Sequence, residues 1–241
     1  MNRFKLIALD MDGTLLNREQ KISEQNLHWI KKAEEAGLIV SYATGRGRES
    51  SEPYWGALSP QAPMVLSNGA EIWKNHSELL ARYTLPGEQV PRLINLAREH
   101  GAKYWTLGNC SDDPNQVGSQ CLKVGMYHED KEVINKLRAL VRSWDLVEVS
   151  ASAPTNMEMN RKGVTKAAGL AQVTELLGIK PSEVVAVGDS LNDLAMIKWA
   201  GFGVAMGNAE EPIKAAADWI TASNEEDGVA QVIQLILKEV G

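Results

Sequence analysis

Cysteine is scarce. Only Cys110 and Cys121 are present, eleven residues apart, and no Cys-x-x-Cys pair exists. The four histidines, His28, His76, His100 and His128, are scattered. A zinc site is therefore not expected, and in a reducing compartment the two thiols should stay unpaired. Also missing is any apolar run near the ~18 residues that a membrane helix needs. The first apolar stretch, Leu6–Leu9, ends in Asp10. It is too short for a signal-peptide core, so a cytoplasmic protein without membrane contact is expected. Basic residues are in deficit, with 25 Lys and Arg against 31 Asp and Glu and a formal net charge of −6. A nucleic-acid partner would call for the opposite balance. An anionic substrate stays open, because a bound cation reverses the charge locally. There is no internal repeat and no low-complexity tract.

What is present is an ordinary globular composition: 241 residues, 44% hydrophobic and 23% charged. That length suits one large domain or two small ones. Strand-like and helix-like segments alternate at both ends of the chain. Strands are predicted at Lys5–Leu9, Leu38–Ala43 and Met64–Ser67, with Asn68-Gly69 as a turn and Ala70–Trp73 as the return strand. Helices are predicted from Glu24 to Ala36, capped by Ser23, and over roughly Arg48–Leu58. In the middle block, strands at Glu78–Leu85, Lys103–Leu107, Cys121–Tyr127 and Leu146–Ser150 alternate with helices at Glu88–His100 and Lys131–Ser143. A polar loop, Gly108–Asn115, interrupts them. The βα alternation then returns: helix Thr165–Leu177, strand Val184–Val187, helix Leu191–Trp199, strand Phe202–Ala205, helix Pro212–Ala217, strand Trp219–Ile220 and helix Gly228–Glu239. Repeated βα units imply an α/β fold with a mostly parallel, doubly wound sheet.

In such a sheet, ligands sit beyond the carboxyl ends of the strands. Those positions hold Asp10-Met11-Asp12-Gly13-Thr14, Thr44-Gly45-Arg46-Gly47, Ser67-Asn68-Gly69 and Gly188-Asp189-Ser190-Leu191-Asn192-Asp193. Carboxylates converging on one rim repel each other unless a cation lies between them. Asp10 and Asp12 point the same way if strand geometry persists. Asp189 and Asp193 share one helix face if the helix starts at Ser190 or Leu191. Donors that are all oxygen suit Mg²⁺ rather than zinc, and Mg²⁺ on carboxylates points to phosphate chemistry. Thr44 and the backbone around Gly45 could bind phosphate oxygens, and either Lys162 or Lys166 could supply a cation. No Ser-His-Asp or Cys-His set is visible. An aspartate can itself attack phosphorus, and a second carboxyl two residues on can move the proton.

The four segments Asp10-Met11-Asp12-Gly13-Thr14, Ala43-Thr44-Gly45-Arg46, Lys166 and Gly188–Asp193 resemble, in order and spacing, the four motifs of the haloacid dehalogenase superfamily. The similarity is greatest to its Cof-type, or subclass IIB, phosphatases. It implies a Rossmann-like core, residues 1–79 and 160–241, with an inserted α+β cap at 80–159, trimmed because the chain is short for this group. It implies a Mg²⁺-dependent phosphatase acting on a small phosphorylated metabolite through an aspartyl-phosphate. Asp10 would be nucleophile and metal ligand. Asp12 would be general acid/base and give its backbone carbonyl to the metal. Asp189 would be the third protein ligand, with Asp193 behind it. The Met11 backbone, Thr44, Gly45, Lys166 and Asn192 would bind phosphate, with Lys166 favoured over Lys162. Arg46, Asn68 and Lys123 are open as substrate contacts, while Tyr104 and Trp105 read as core. The alternatives are a hexose-phosphate mutase of the same superfamily and a non-catalytic phosphate-binding regulator. Nothing asks for more than a monomer or weak homo-oligomer.

Overall fold

A computed structural model describes residues 3–111 and 120–238. Two sheets organise the chain. The first half supplies β1 (Leu6–Leu9), α1 (Glu24–Glu35), β2 (Ile39–Ala43), α2 (Arg48–Ser51), β3 (Met64–Leu66), β4 (Glu71–Trp73) and β5 (Leu79–Arg82). The middle gives α3 (Gln89–Glu99), β6 (Lys103–Asn109), β7 (Gln120–Tyr127), α4 (Lys131–Trp144), β8 (Val147–Ser150) and β9 (Asn156–Arg161). The last part gives α5 (Lys166–Leu177), β10 (Val184–Gly188), α6 (Leu194–Trp199), β11 (Phe202–Ala205), α7 (Glu211–Lys214), β12 (Trp219–Ile220) and α8 (Gly228–Lys238).

The larger sheet runs β12-β11-β10-β1-β2-β3-β4-β5, parallel up to β3 and antiparallel at β4 and β5. Its central strands are apolar on both faces, as a sheet covered on both sides requires. Ile7 and Leu9 of β1 pack with α1 and α8, through Ile30, Val232 and Ile233. Leu6 and Ala8 pack with α5, through Leu170 and Val173. Strand order reverses at β1: the chain first builds outward through β2 and β3, later through β10 and β11. The crevice at that reversal, between the ends of β1 and β10, is where such sheets bind ligands.

The smaller sheet runs β6-β7-β9-β8, antiparallel throughout. One face packs on α3 and α4 through Val124, Met126, Met157 and Met159. The pattern reading missed β9. Its sequence, Asn156-Met157-Glu158-Met159-Asn160-Arg161, has a clear period of two, but its polar residues are buried as well as its methionines. The strand predicted at Glu78–Leu85 joins the larger sheet as β5. Positions 80 and 159 thus fall within β5 and β9.

Other differences are local. The helix predicted over Arg48–Leu58 is one α-helical turn, α2, followed by a 3-10 segment, Glu52–Ala57. Gly108 and Asn109, predicted in a loop, extend β6; Asp112–Asn115 of that loop lie outside the described residues. Tyr104 and Trp105, expected in the core, are 39% and 37% exposed, because they lie on β6 at the sheet edge. Cys110 and Cys121, expected to be unpaired, form a disulfide with Cα atoms 4.4 Å apart. Antiparallel pairing of β6 with β7 brings the two positions together, which their separation in sequence does not show. No helix among the described residues is long and apolar enough to cross a membrane.

Candidate active site

Asp10 follows β1 directly and is buried. β1 ends at Leu9 and the chain turns through residues 10–13, so strand geometry does not carry on to Asp12. The two carboxylates still line one cavity of about 230 Å³, together with Gly45, Arg46, Ser152, Glu158, Ser190 and Asn192. They do so because the chain turns, with Gly13 at φ +80°. A Cβ at Gly13 would lie 2.4 Å from Asp189 Oδ2. Glycine here gives both the positive φ and the room for that carboxylate. Met11 is fully buried in the core, leaving only its backbone for a ligand.

Lys166, first residue of α5, is fully buried, and its Nζ donates to Asp10 Oδ1 and Asp193 Oδ1, both at 2.6 Å. The helix can come this close because Gly69, at φ +100°, has no side chain to meet the Thr165 carbonyl; a Cβ there would lie 2.3 Å from it. Lys162, the other candidate, is exposed and pairs with Asp145 at 2.5 Å. Asp193 does not sit on a helix face with Asp189. The helix begins only at Leu194, and the Asp193 Oδ2 accepts from the backbone N–H of Asp189 (3.0 Å) and Ser190 (3.1 Å). Those two amides aim its other oxygen at Lys166. Asp189 accepts from Thr14 Oγ1 at 2.9 Å.

Oxygen atoms of Asp10, Asp189 and Asp193 lie within 4.8 Å of one another. Three carboxylates against one ammonium leave two negative charges in a buried place. Burial pushes the Asp10 carboxyl well above the ordinary aspartate value; Asp193 and Asp189 add to this, and Lys166 opposes it. Burial and then Asp193 push Asp189 up to about 7, against the Thr14 hydrogen bond and Lys166. Burial pulls Lys166 down, but Asp10 and Asp193 outweigh it and the ammonium is held protonated. A hard divalent cation fits this donor set, being all oxygen and two charges short of neutral.

That excess charge gives a prediction. An unfolded Asp189 ionises near 3.8 and the folded one near 7. Between those values the folded chain binds more protons, so in EDTA the contribution of this group falls as pH rises from about 4 to 7. A bound divalent cation removes the penalty, and it needs deprotonated ligands. Mg²⁺ should therefore raise the melting temperature more at pH 8 than at pH 5. Equal shifts at both pH values would show that the cation binds elsewhere.

Asp12 stands apart from the three. Its Oδ2 and Oδ1 accept from Arg46 Nε (2.7 Å) and Nη2 (2.6 Å), and Arg46 also reaches Gln20 and lies over the Tyr54 ring. Hydrogen bonding to Asp12 holds the Arg46 guanidinium above its ordinary range, against partial burial. Thr44 is buried, with its Oγ1 accepting from Arg46 N at 3.1 Å and its carbonyl accepting from Asn68 N at 2.9 Å. Ser67 and Asn68 both have left-handed backbones, at φ 54° and 59°. That conformation costs of order 1–3 kcal/mol per residue and persists only where surrounding structure holds it.

Sequence reasoning missed Glu158 and Asn160 altogether. Asn68 Nδ2 donates to Glu158 Oε2 at 2.7 Å, and its Oδ1 accepts from Asn192 Nδ2 at 3.4 Å. Asn160 Nδ2 donates to the carbonyls of Ser67 and Leu122, both at 3.0 Å. Lys123, which the sequence left open, donates to Glu158 Oε1 (2.9 Å) and to the Gly45 carbonyl (2.8 Å). The available signal was the alternation Met157-Glu158-Met159-Asn160, which puts methionines on the helices and polar groups on the opposite face. A larger cavity, about 530 Å³, lies between α2 and the β6–β7 pair and contains none of the carboxylates discussed.

The family model for haloacid dehalogenase-like hydrolases matches this chain over residues 7–113 and 109–233. A 5-amino-6-(5-phospho-D-ribitylamino)uracil phosphatase of Bacillus subtilis is 41% identical over 235 residues, covering 95% of this chain and 94% of that protein. A second Bacillus subtilis phosphatase described in the same words is 30% identical over 261 residues, covering 95% and 96%. Among solved structures, a haloacid dehalogenase-like hydrolase from Bacteroides thetaiotaomicron is 32% identical with a TM-score of 0.79, covering 97% of this chain and 99% of that one.

Proposed function

Because this chain belongs to the haloacid dehalogenase-like hydrolases, we propose that it is a Mg²⁺-dependent phosphatase of small phosphomonoesters that works through an aspartyl-phosphate on Asp10. The observation that carries this is the cluster of buried Asp10 and Asp193, both bonded to Lys166 Nζ, with half-buried Asp189 beside them, at the strand-order reversal and open to a polar cavity. Asp10 and Asp189, with Asp193 behind them and the Asp12 backbone carbonyl, would hold the cation. When bound, it offsets the charge of the transferring phosphoryl group.

The chain's own residues supply the rest. The carboxylate of Asp10 forms a bond to phosphorus as the ester P–O bond breaks. The electron pair leaves with the ester oxygen, which takes a proton from Asp12. Asp12 then takes a proton from water, whose oxygen attacks phosphorus. The bond to Asp10 breaks, and inorganic phosphate leaves. Lys166 holds the Asp10 oxygen in place and offsets charge. Thr44, Gly45, Asn192 and the Met11 backbone would bind phosphate oxygens. A phosphate dianion competes for the Arg46 guanidinium, which frees Asp12 to face the leaving oxygen. The segment 80–159 would act as a cap that excludes bulk water.

The test is phosphate release from a panel of phosphomonoesters, with Mg²⁺ or with EDTA. The compound in the two relatives' names, 5-amino-6-(5-phospho-D-ribitylamino)uracil, belongs in that panel. Release is expected with Mg²⁺ and not with EDTA. Conversion of a hexose phosphate to its isomer, with no phosphate freed, would overturn the reading in favour of a mutase.

A further inference from the structure

The chain has two cysteines, and the fold joins them. They lie where the β6–β7 pairing is irregular. Leu107 faces Lys123 but Gly108 faces Cys121, so Leu122 is an extra residue that bulges from β7. The disulfide closes the strand ends just past that bulge. Both strands press on the loop between β2 and α2 at this point. Lys123 Nζ donates to the Gly45 carbonyl at 2.8 Å, and a Cβ on Gly47 would come within 2.9 Å of Leu107. The Cys121 carbonyl accepts at 2.7 Å from the N–H of Leu85, on the stretch that leads from β5 into α3. Past the bulge, the described residues make two further pairs, Gly108 with Cys121 and Asn109 with Gln120. So short an end holds the register weakly, because the bulge interrupts the ladder. The cross-link fixes it by removing freedom from the opened chain.

Resting on the phosphatase reading above, we infer that the Cys110–Cys121 disulfide is a redox switch on the Asp10 site: the oxidised chain turns over phosphomonoesters well and the reduced chain poorly. Cys110 is half-buried and Cys121 fully buried, so exchange starts at Cys110. A dithiol supplies the electrons. Its thiolate bonds to Cys110 Sγ, the Cys110–Cys121 bond breaks, and the electron pair stays on Cys121 Sγ, which takes a proton. The second thiolate of the reductant then bonds to its own sulfur in the mixed disulfide, and Cys110 leaves as a thiolate and takes a proton. The protein has gained two electrons and two protons, and the reductant has become a disulfide. The bulge is then free to move along β7. A shift of one residue turns Lys123 to the other face of the sheet. That takes its ammonium from Glu158 and from Gly45, one of the proposed phosphate contacts. A small disulfide such as oxidised glutathione reverses the exchange.

The experiment measures kcat/KM of the full chain on p-nitrophenyl phosphate with Mg²⁺, after dialysis against oxidised glutathione or after treatment with dithiothreitol. Alkylation and intact mass count the free thiols, none in the first form and two in the second. The reduced form should have a kcat/KM lower by about fivefold or more, and reoxidation should restore it. Cys110→Ser cannot form the bond. It should have the reduced form's rate in either medium, which separates the switch from an effect of the dithiol on the metal. If melting curves show that this variant does not fold, Cys110→Ala takes its place. Equal rates for the two forms overturn the inference. So does a chain that keeps two free thiols in oxidised glutathione, and so does a Cys110→Ser variant that still responds to dithiothreitol. A chain that frees no phosphate in either form overturns the phosphatase reading instead. Amide hydrogen exchange then decides the switch: faster exchange at residues 44–47 and 121–125 on reduction upholds it, and equal exchange overturns it.

Discussion

Replacing Asp10 with asparagine should lower phosphate release by about a thousandfold or more, as loss of a covalent nucleophile does, and should raise melting temperature in EDTA. The two effects share one cause. An amide cannot form the acyl-phosphate, so the proposed first step has no nucleophile. The same amide removes one of three negative charges crowded around Lys166, whose mutual repulsion and burial already push Asp10 and Asp189 toward their protonated forms. Sites strained for function commonly gain stability when disarmed. Activity assays and melting curves on the same preparation check both. A variant as active as the wild type would remove Asp10 as nucleophile. A variant inactive but much less stable would attribute the loss to unfolding.

The second large effect is expected from Lys166→Met. The methionine fills similar space but leaves Asp10 and Asp193 buried without their ammonium, beside half-buried Asp189. Breaking a buried pair by removing one partner costs about 3–5 kcal/mol, which for a chain of this size is on the order of 10 °C in melting temperature. Part of that should return on adding Mg²⁺, which the proposed site would hold on the same carboxylates. Activity should not return, because in the proposed mechanism the lost donor also steadies the Asp10 oxygen and offsets charge in transfer, an effect worth roughly 10²–10³-fold. Lys162→Met is the control. It sits only four residues away, but it is exposed and pairs with Asp145, so it should alter neither melting nor rate. If Lys162→Met loses activity instead, the phosphate contact has been given to the wrong lysine.

The carboxylates could be read from the sequence because each follows a short apolar strand, and strand ends are local features. Asp10 after Leu6–Leu9 and Asp189 after Val184–Gly188 need only β1 and β10 to be parallel neighbours, which repeated βα units imply. Position near a helix start left both Lys162 and Lys166 open; only the family resemblance favoured Lys166. The local geometry between these points could not be read. Asp12 lies on a turn rather than a continued strand, and Asp193 is aimed by loop amides rather than by a helix face.

The sequence by itself determined the chemistry: an acidic, oxygen-only set at the ends of parallel strands, suited to a divalent cation and a phosphate. Tertiary structure alone decided what surrounds that chemistry. Asn68 and Glu158 are ninety residues apart, Lys123 and Glu158 thirty-five, and no local pattern links them. They meet because β7 pairs antiparallel with β9 in one register, Gly125 opposite Glu158. A shift of one residue would turn Glu158 to the helices and Met159 to the site. Register is set by the methionines and valines packing on α3 and α4, a property of the assembled core. So the polar groups around Glu158 depend on a packing choice, whereas the carboxylates around Lys166 depend on where strands end.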